Sequence, residues 1–75
     1  SLNIRIMLPF QDELSVVLYD QLGNVAGEVY NGKAEKGSLR LTMNTSFLAD
    51  GVYTLRVLFR DAVEVRQVVK ASRNR

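Results

Sequence analysis

The acid–base chemistry open to this 75-residue sequence rests mainly on eight Asp and Glu side chains, because it contains no histidine and no cysteine. Carboxylates come close in sequence at two places, Asp12 beside Glu13 and Asp61 near Glu64. A general acid and its base must converge on one substrate, whereas adjacent residues of an extended chain point to opposite faces. Asp12 and Glu13 therefore read as solvated loop residues, as do Asp61 and Glu64. Without thiolate or imidazole, the sequence lacks the usual nucleophile, the usual proton shuttle and the commonest metal ligands. The five glycines, at 23, 27, 32, 37 and 51, form no glycine-rich loop opening onto a helix, so no phosphate-cradling loop is expected. Turns and strand ends account for all of them except Gly27, which falls inside a strand and predicts a bulge or a close approach. The composition argues against an enzyme, and no catalytic, cofactor-binding or metal-ligating residue is assigned.

The elements that would position any site are strands. Leu2, Ile4, Ile6 and Leu8 alternate with Asn3, Arg5 and Met7 before Pro9 ends the run. Leu14, Val16 and Leu18 alternate with Ser15, Val17 and Tyr19. Val25 and Val29, then Leu39, Leu41 and Met43, carry two further runs. Tyr53, Leu55, Val57 and Phe59 form the clearest alternation, against Thr54, Arg56, Leu58 and Arg60. In the last run, Ala62 to Lys70, Val63, Val65 and Val69 share one face and Glu64, Arg66, Val68 and Lys70 the other. Six short strands and no 3.6-residue period predict an all-β chain. The fold expected is a small immunoglobulin-like or Greek-key β-sandwich of about six to seven antiparallel strands.

Turn chemistry divides the runs. Asp20-Gln21-Leu22-Gly23 places an acceptor side chain at the start of a turn and glycine where positive φ is needed, which makes Asp20 and Gly23 structural turn residues. Asn31-Gly32 and Lys36-Gly37 are expected to bracket a polar loop, Asp50-Gly51 to lead into the Tyr53 strand, and Arg60-Asp61 to reverse the chain. Asn44 to Ala49 breaks the alternation and reads as a crossing loop or single helical turn, with Phe47 and Leu48 plugging one end of the core.

Length permits one small domain with a thin core, placed at residues 1–70, followed by a basic tail over 71–75 expected to be flexible. The longest unbroken apolar run, Val16 to Tyr19, is four residues, so neither membrane insertion nor a signal peptide is expected within these residues. Ten Lys and Arg against eight Asp and Glu give a net charge of only +2, and Tyr53 and Phe59 of the six aromatics fall on the inferred core face. Nucleic acid is therefore not an expected partner. Two binding surfaces remain open from the residues alone. Tyr19 and Tyr30, if outward, could contact carbohydrate, although no Trp is present to stack a sugar. Outward Met7, Val17 and Val68 suggest an apolar patch for a protein.

Three motifs follow one another: Val17-Leu18-Tyr19-Asp20-Gln21-Leu22-Gly23-Asn24-Val25, then Leu48-Ala49-Asp50-Gly51-Val52-Tyr53-Thr54-Leu55-Arg56-Val57, then Arg66-Gln67-Val68-Val69-Lys70. Their order and spacing resemble the C-terminal sorting domain of cargo proteins of the type IX (Por) secretion system of Bacteroidetes, over approximately Leu2 to Lys70. The resemblance implies a non-catalytic address at the end of a multidomain secreted protein, with its cargo domain on the N-terminal side. It implies recognition by the outer-membrane translocon, removal by a sortase-like peptidase, and passage through the periplasm to the cell surface or medium. Carried over by position, Gly51 and Tyr53 would shape the recognition strand, and Arg66, Val68, Val69 and Lys70 would form the terminal element the machinery reads. A terminal edge strand with a basic outer face would suit strand addition to a partner, and it raises dimers formed by strand exchange. The alternative is an immunoglobulin-like accessory module that binds carbohydrate or a protein surface.

Overall fold

The computed structural model describes residues 1–72. It contains six strands: β1 (Leu2–Leu8), β2 (Asp12–Tyr19), β3 (Val25–Ala34), β4 (Gly37–Met43), β5 (Gly51–Phe59) and β6 (Ala62–Lys70). All pairings are antiparallel. β1 and β4 form a two-stranded sheet, and the other four form a second sheet in the order β3-β2-β5-β6. The chain changes sheet between β1 and β2, between β3 and β4, and between β4 and β5. The result is the all-β sandwich expected. No helix among the described residues is long and apolar enough to cross a membrane.

The alternation places the core. Leu14, Val16 and Leu18 of β2 are fully buried, and Leu8, Ala34, Leu41, Tyr53 and Leu55 close around them. β1 contributes Leu2, Ile4 and Ile6 from one face. The central strand is buried because it lies between β3 and β5 and beneath the smaller sheet.

β3 departs from the expected pattern. Most of the polar loop expected between Asn31-Gly32 and Lys36-Gly37 is strand, because pairing with β2 continues through Asn31↔Ser15 and Gly32↔Leu14 to Ala34↔Asp12. Only Glu35 and Lys36 separate β3 from β4. Register shifts between Val16 and Val17 and between Leu18 and Tyr19 insert extra residues opposite β2. Such bulges break a period of two, which explains why β3 reads poorly as a strand. Gly27 lies between the two shifts. A Cβ on it would fall 2.1 Å from Cε of Met43, so glycine permits the close approach of β3 and β4.

Two turns behave as their residues predict. Asp20 Oδ1 accepts from the backbone N–H of Leu22 and of Asn24, both at 2.9 Å. Gly23 has φ of 87°, the left-handed region that favours glycine. Arg60-Asp61 reverses the chain between the paired Phe59 and Ala62, with Arg60 at φ 54° in the first loop position. Type II′ hairpins require positive φ there. Arg60 is held by an ion pair with Asp12 at 2.7 Å and stacks 4.8 Å over the Phe10 ring.

The plug of the core is Leu48 and not Phe47. Leu48 packs on the core, whereas Phe47 is 68% exposed. Leu48 N–H bonds back to Thr45 C=O at 3.0 Å, and this tight turn directs only one of two adjacent side chains inward.

Candidate recognition edge

β6 ends the larger sheet, so one row of its backbone N–H and C=O groups has no strand partner among the described residues. Its register with β5 fixes which face each side chain takes. Val68 lies opposite Tyr53, Arg66 opposite Leu55, Glu64 opposite Val57 and Ala62 opposite Phe59. Directly opposed residues share a face, and Tyr53 and Leu55 are buried. Glu64, Arg66, Val68 and Lys70 therefore occupy the core side of β6. The valines Val63, Val65 and Val69 stand on the outer face, 52%, 54% and 66% exposed.

This arrangement reverses two expectations. The outer face of the last strand is apolar rather than basic, and Val68 is not outward but packs on the core. The physical reason is unequal cover. Two strands cannot cap four, so the inner side of β6 is shielded only near its C-terminal end, where Ser1, Leu2, Thr45 and Leu48 border Val68 and Lys70. Farther back, Glu64 and Arg66 lie along an open seam with Ile4, Arg5, Ile6 and Met7 of β1. There they form an exposed ion pair of 2.7 Å. Charges pointing inward along an open edge are one way a sheet resists uncontrolled pairing.

The C-terminal end of β6 is tied down by polar contacts. Lys70 Nζ donates to Thr45 C=O at 2.7 Å and to Leu48 C=O at 2.9 Å. It thereby satisfies carbonyls of the β4–β5 connection, which forms no sheet ladder. Tyr53 OH donates to Ala49 C=O at 2.6 Å, a hydroxyl-to-upstream-backbone bond of the kind that pins corners in immunoglobulin-like sandwiches. Gly51 begins β5 opposite Lys70. Beyond the strand, Ser72 donates its backbone N–H to Asp50 at 3.0 Å and its hydroxyl at 2.9 Å. Those bonds from Ser72, with the nearby Lys70 ammonium, hold the Asp50 carboxyl below its ordinary pKa. The basic tail expected over 71–75 falls outside the described residues from 73 onward.

The residues singled out in the sequence thus gather at one end of the molecule, except Arg66, which lies farther along the seam. Gly51, Tyr53, Val68 and Lys70 interlock with the 44–50 segment, and Val69 faces outward beside them. Asp20 and Gly23 shape the β2–β3 turn. The outer valines Val63 and Val65 were legible as a face but not as the exposed one. Of the two tyrosines considered for carbohydrate, Tyr19 lies opposite Thr54 on the outer face, away from the buried Leu18. Tyr30 instead packs on the core and donates its hydroxyl to Lys33 C=O, which removes the paired-tyrosine surface.

Comparison with known proteins agrees with the motif order. The family model described as "Secretion system C-terminal sorting domain" matches residues 1–71. Neither the curated proteins nor the solved structures gave a match. With nearly the whole chain covered, it belongs to the C-terminal sorting domains of type IX secretion, a generally non-catalytic family of signals that interact with that machinery and direct an N-terminal cargo to the cell surface or medium.

Proposed function

We propose that this domain is a folded address whose readable part is the outer face and free edge of β6, and that it routes its cargo from the periplasm through the type IX outer-membrane translocon. The observation that carries the proposal is the orientation of β6. A strand with an unpaired edge presents Val63, Val65 and Val69 outward, while its inward residues Val68 and Lys70 fasten it to the domain. An unpaired edge offers main-chain hydrogen bonds to an incoming strand, and alternate side chains supply the specificity. In this reading Val69 is a contact residue. Gly51, Tyr53, Val68 and Lys70 are positioning residues that hold the strand in the shape the machinery meets. Arg66 borders the seam and marks the inner limit of the contact.

The domain does no chemistry of its own. After export it is removed by a sortase-like peptidase, which reaches the chain on the cargo side of β1. Purified domain at high concentration forms some dimer by exchanging β6, a terminal strand paired on one side only, which can leave its own β5 for that of a second copy.

The test is a fusion of the chain to the end of a fluorescent protein with its own inner-membrane export signal, in a Bacteroidetes host with or without a working translocon. Surface or medium fluorescence that needs both the domain and the translocon supports the proposal. A stable fusion retained in the periplasm despite a working translocon overturns it.

A further inference from the structure

The outer face of the smaller sheet has a separate feature that the secretion reading does not use. Arg5 of β1 lies directly opposite Arg40 of β4, and both are exposed. Like charges opposed across an antiparallel pair are destabilising, because their Cβ atoms are only about 4.5–5.5 Å apart. Neither arginine forms an ion pair among the described residues, and Glu64, across the seam from Arg5, is paired with Arg66. The outward residues around them are Asn3, Met7, Ser38 and Thr42. Both ion pairs among the described residues lie elsewhere, Arg60 with Asp12 and Arg66 with Glu64.

The neighbours add donors. Thr42 Oγ1 donates to Asn3 Oδ1 at 3.1 Å, which orients the Asn3 side-chain amide and leaves its N–H₂ without a partner among the described residues. Asn3, Arg5, Arg40 and Thr42, with Ile4, line one shallow depression of about 400 Å³. A guanidinium is always charged and presents its N–H donors in a planar fork that matches phosphate oxygens.

We propose that Arg5 and Arg40 form a binding site for a tetrahedral oxyanion of the phosphate-ester class, with the Asn3 amide as a third donor. The anion bridges the two guanidinium groups and replaces their repulsion with charge-assisted hydrogen bonds. A carboxylate is a weaker fit, because two flat forks on neighbouring strands match a tetrahedral acceptor with several oxygens better than one planar one.

The test is a backbone amide NMR titration of the 75-residue chain with inorganic phosphate, against sodium chloride at matched ionic strength. Saturable shifts confined to residues 3–7 and 38–42, absent with chloride, are expected. Arg5→Gln and Arg40→Gln should each weaken the response by about tenfold or more, the effect of losing charge-assisted hydrogen bonds. Arg5→Glu provides a readout of opposite sign. It places an acid opposite Arg40, so it should raise the thermal midpoint without phosphate and abolish any phosphate-dependent rise. A parallel flotation assay uses phosphatidylcholine vesicles with and without phosphatidic acid. Arginine-dependent flotation only with phosphatidic acid assigns the ester to a lipid headgroup, whereas a phosphate response without flotation assigns it to a soluble ester. Phosphate shifts no greater than chloride shifts together with no flotation, or a response that survives in both glutamine variants, overturn the site.

Discussion

Val68 stands directly opposite Tyr53 across the β5–β6 pair, with Tyr53 only 7% exposed and Val68 packed on the core. This register turns the terminal strand so that its charged residues share the core side with Val68 while Val63, Val65 and Val69 face solvent. Both sides of β6 then acquire distinct duties. One fastens the strand to the domain, and the other is available to a partner.

The fastening predicts a local loss of order when Lys70 is shortened. Lys70→Met keeps most of the aliphatic stem but removes the donors to Thr45 and Leu48. Hydrogen bonds to charged groups contribute about 1.5–3 kcal/mol when partly shielded, and solvent exposure reduces that here to about 1–2 kcal/mol. Urea unfolding should show the lower midpoint, with amide exchange quickening first over residues 44–50. Tyr53→Phe, which removes the bond to Ala49, should loosen the same segment by about 0.5–1.5 kcal/mol.

Acid should release Ser72 from Asp50. Asp50 has a lowered pKa relative to its ordinary 3.8, chiefly through the backbone N–H and hydroxyl of Ser72. A carboxyl depressed in the folded state contributes stability that is present above its unfolded pKa and lost as pH falls through its folded one. The Ser72 amide should therefore stay protected through neutral and mildly acidic pH and lose protection only below the ordinary carboxyl value of 3.8. Asp50→Asn should remove this step, leaving Ser72 exchange without that inflection.

Gly27 should tolerate a side chain only if Met43 yields. Gly27→Ala drives a methyl into the Met43 thioether, and overpacking of this kind costs about 1–3 kcal/mol, here toward the low end because a flexible methionine can move. Paired with Met43→Ala, the substitution should cost less than the sum of the two single changes. A double-mutant cycle by thermal unfolding measures the difference.

Gly23→Ala places a Cβ at φ 87°, where nothing crowds it but the backbone itself is strained. The expected loss is about 1–2 kcal/mol. Because the space is open, Gly23→Asn should cost less than alanine, and thermal unfolding of the two variants separates strain from crowding.

Much of this was legible in the residues. The strands of residues 2–8 and 51–59 alternate cleanly because each is apolar on one side and lies over the core. Gly27 advertised a close approach because turns could not explain it. β3 was harder, since two bulges disrupt its period and its Asn31-Gly32 imitates a loop. The face of β6 could not be read from hydropathy at all. Valine is favoured in strands whether or not it is covered, and the register with β5, under a second sheet too narrow to cover β6, is what puts Val63, Val65 and Val69 outside. The exposed Phe47 and half-buried Leu48 are decided by one tight turn, whose direction adjacent apolar residues do not encode.

The most direct test of the account compares export of the fluorescent fusion carrying Val63→Thr, Val65→Thr and Val69→Thr with export of the parent domain. Threonine preserves strand propensity and shape, and the three positions are outward, so the variant domain should keep its circular dichroism and lose little thermal stability. The account predicts a folded fusion that accumulates in the periplasm while the parent reaches the surface or medium. Export of the folded triple variant at the parent's level would contradict the outer face of β6 as the surface the machinery reads.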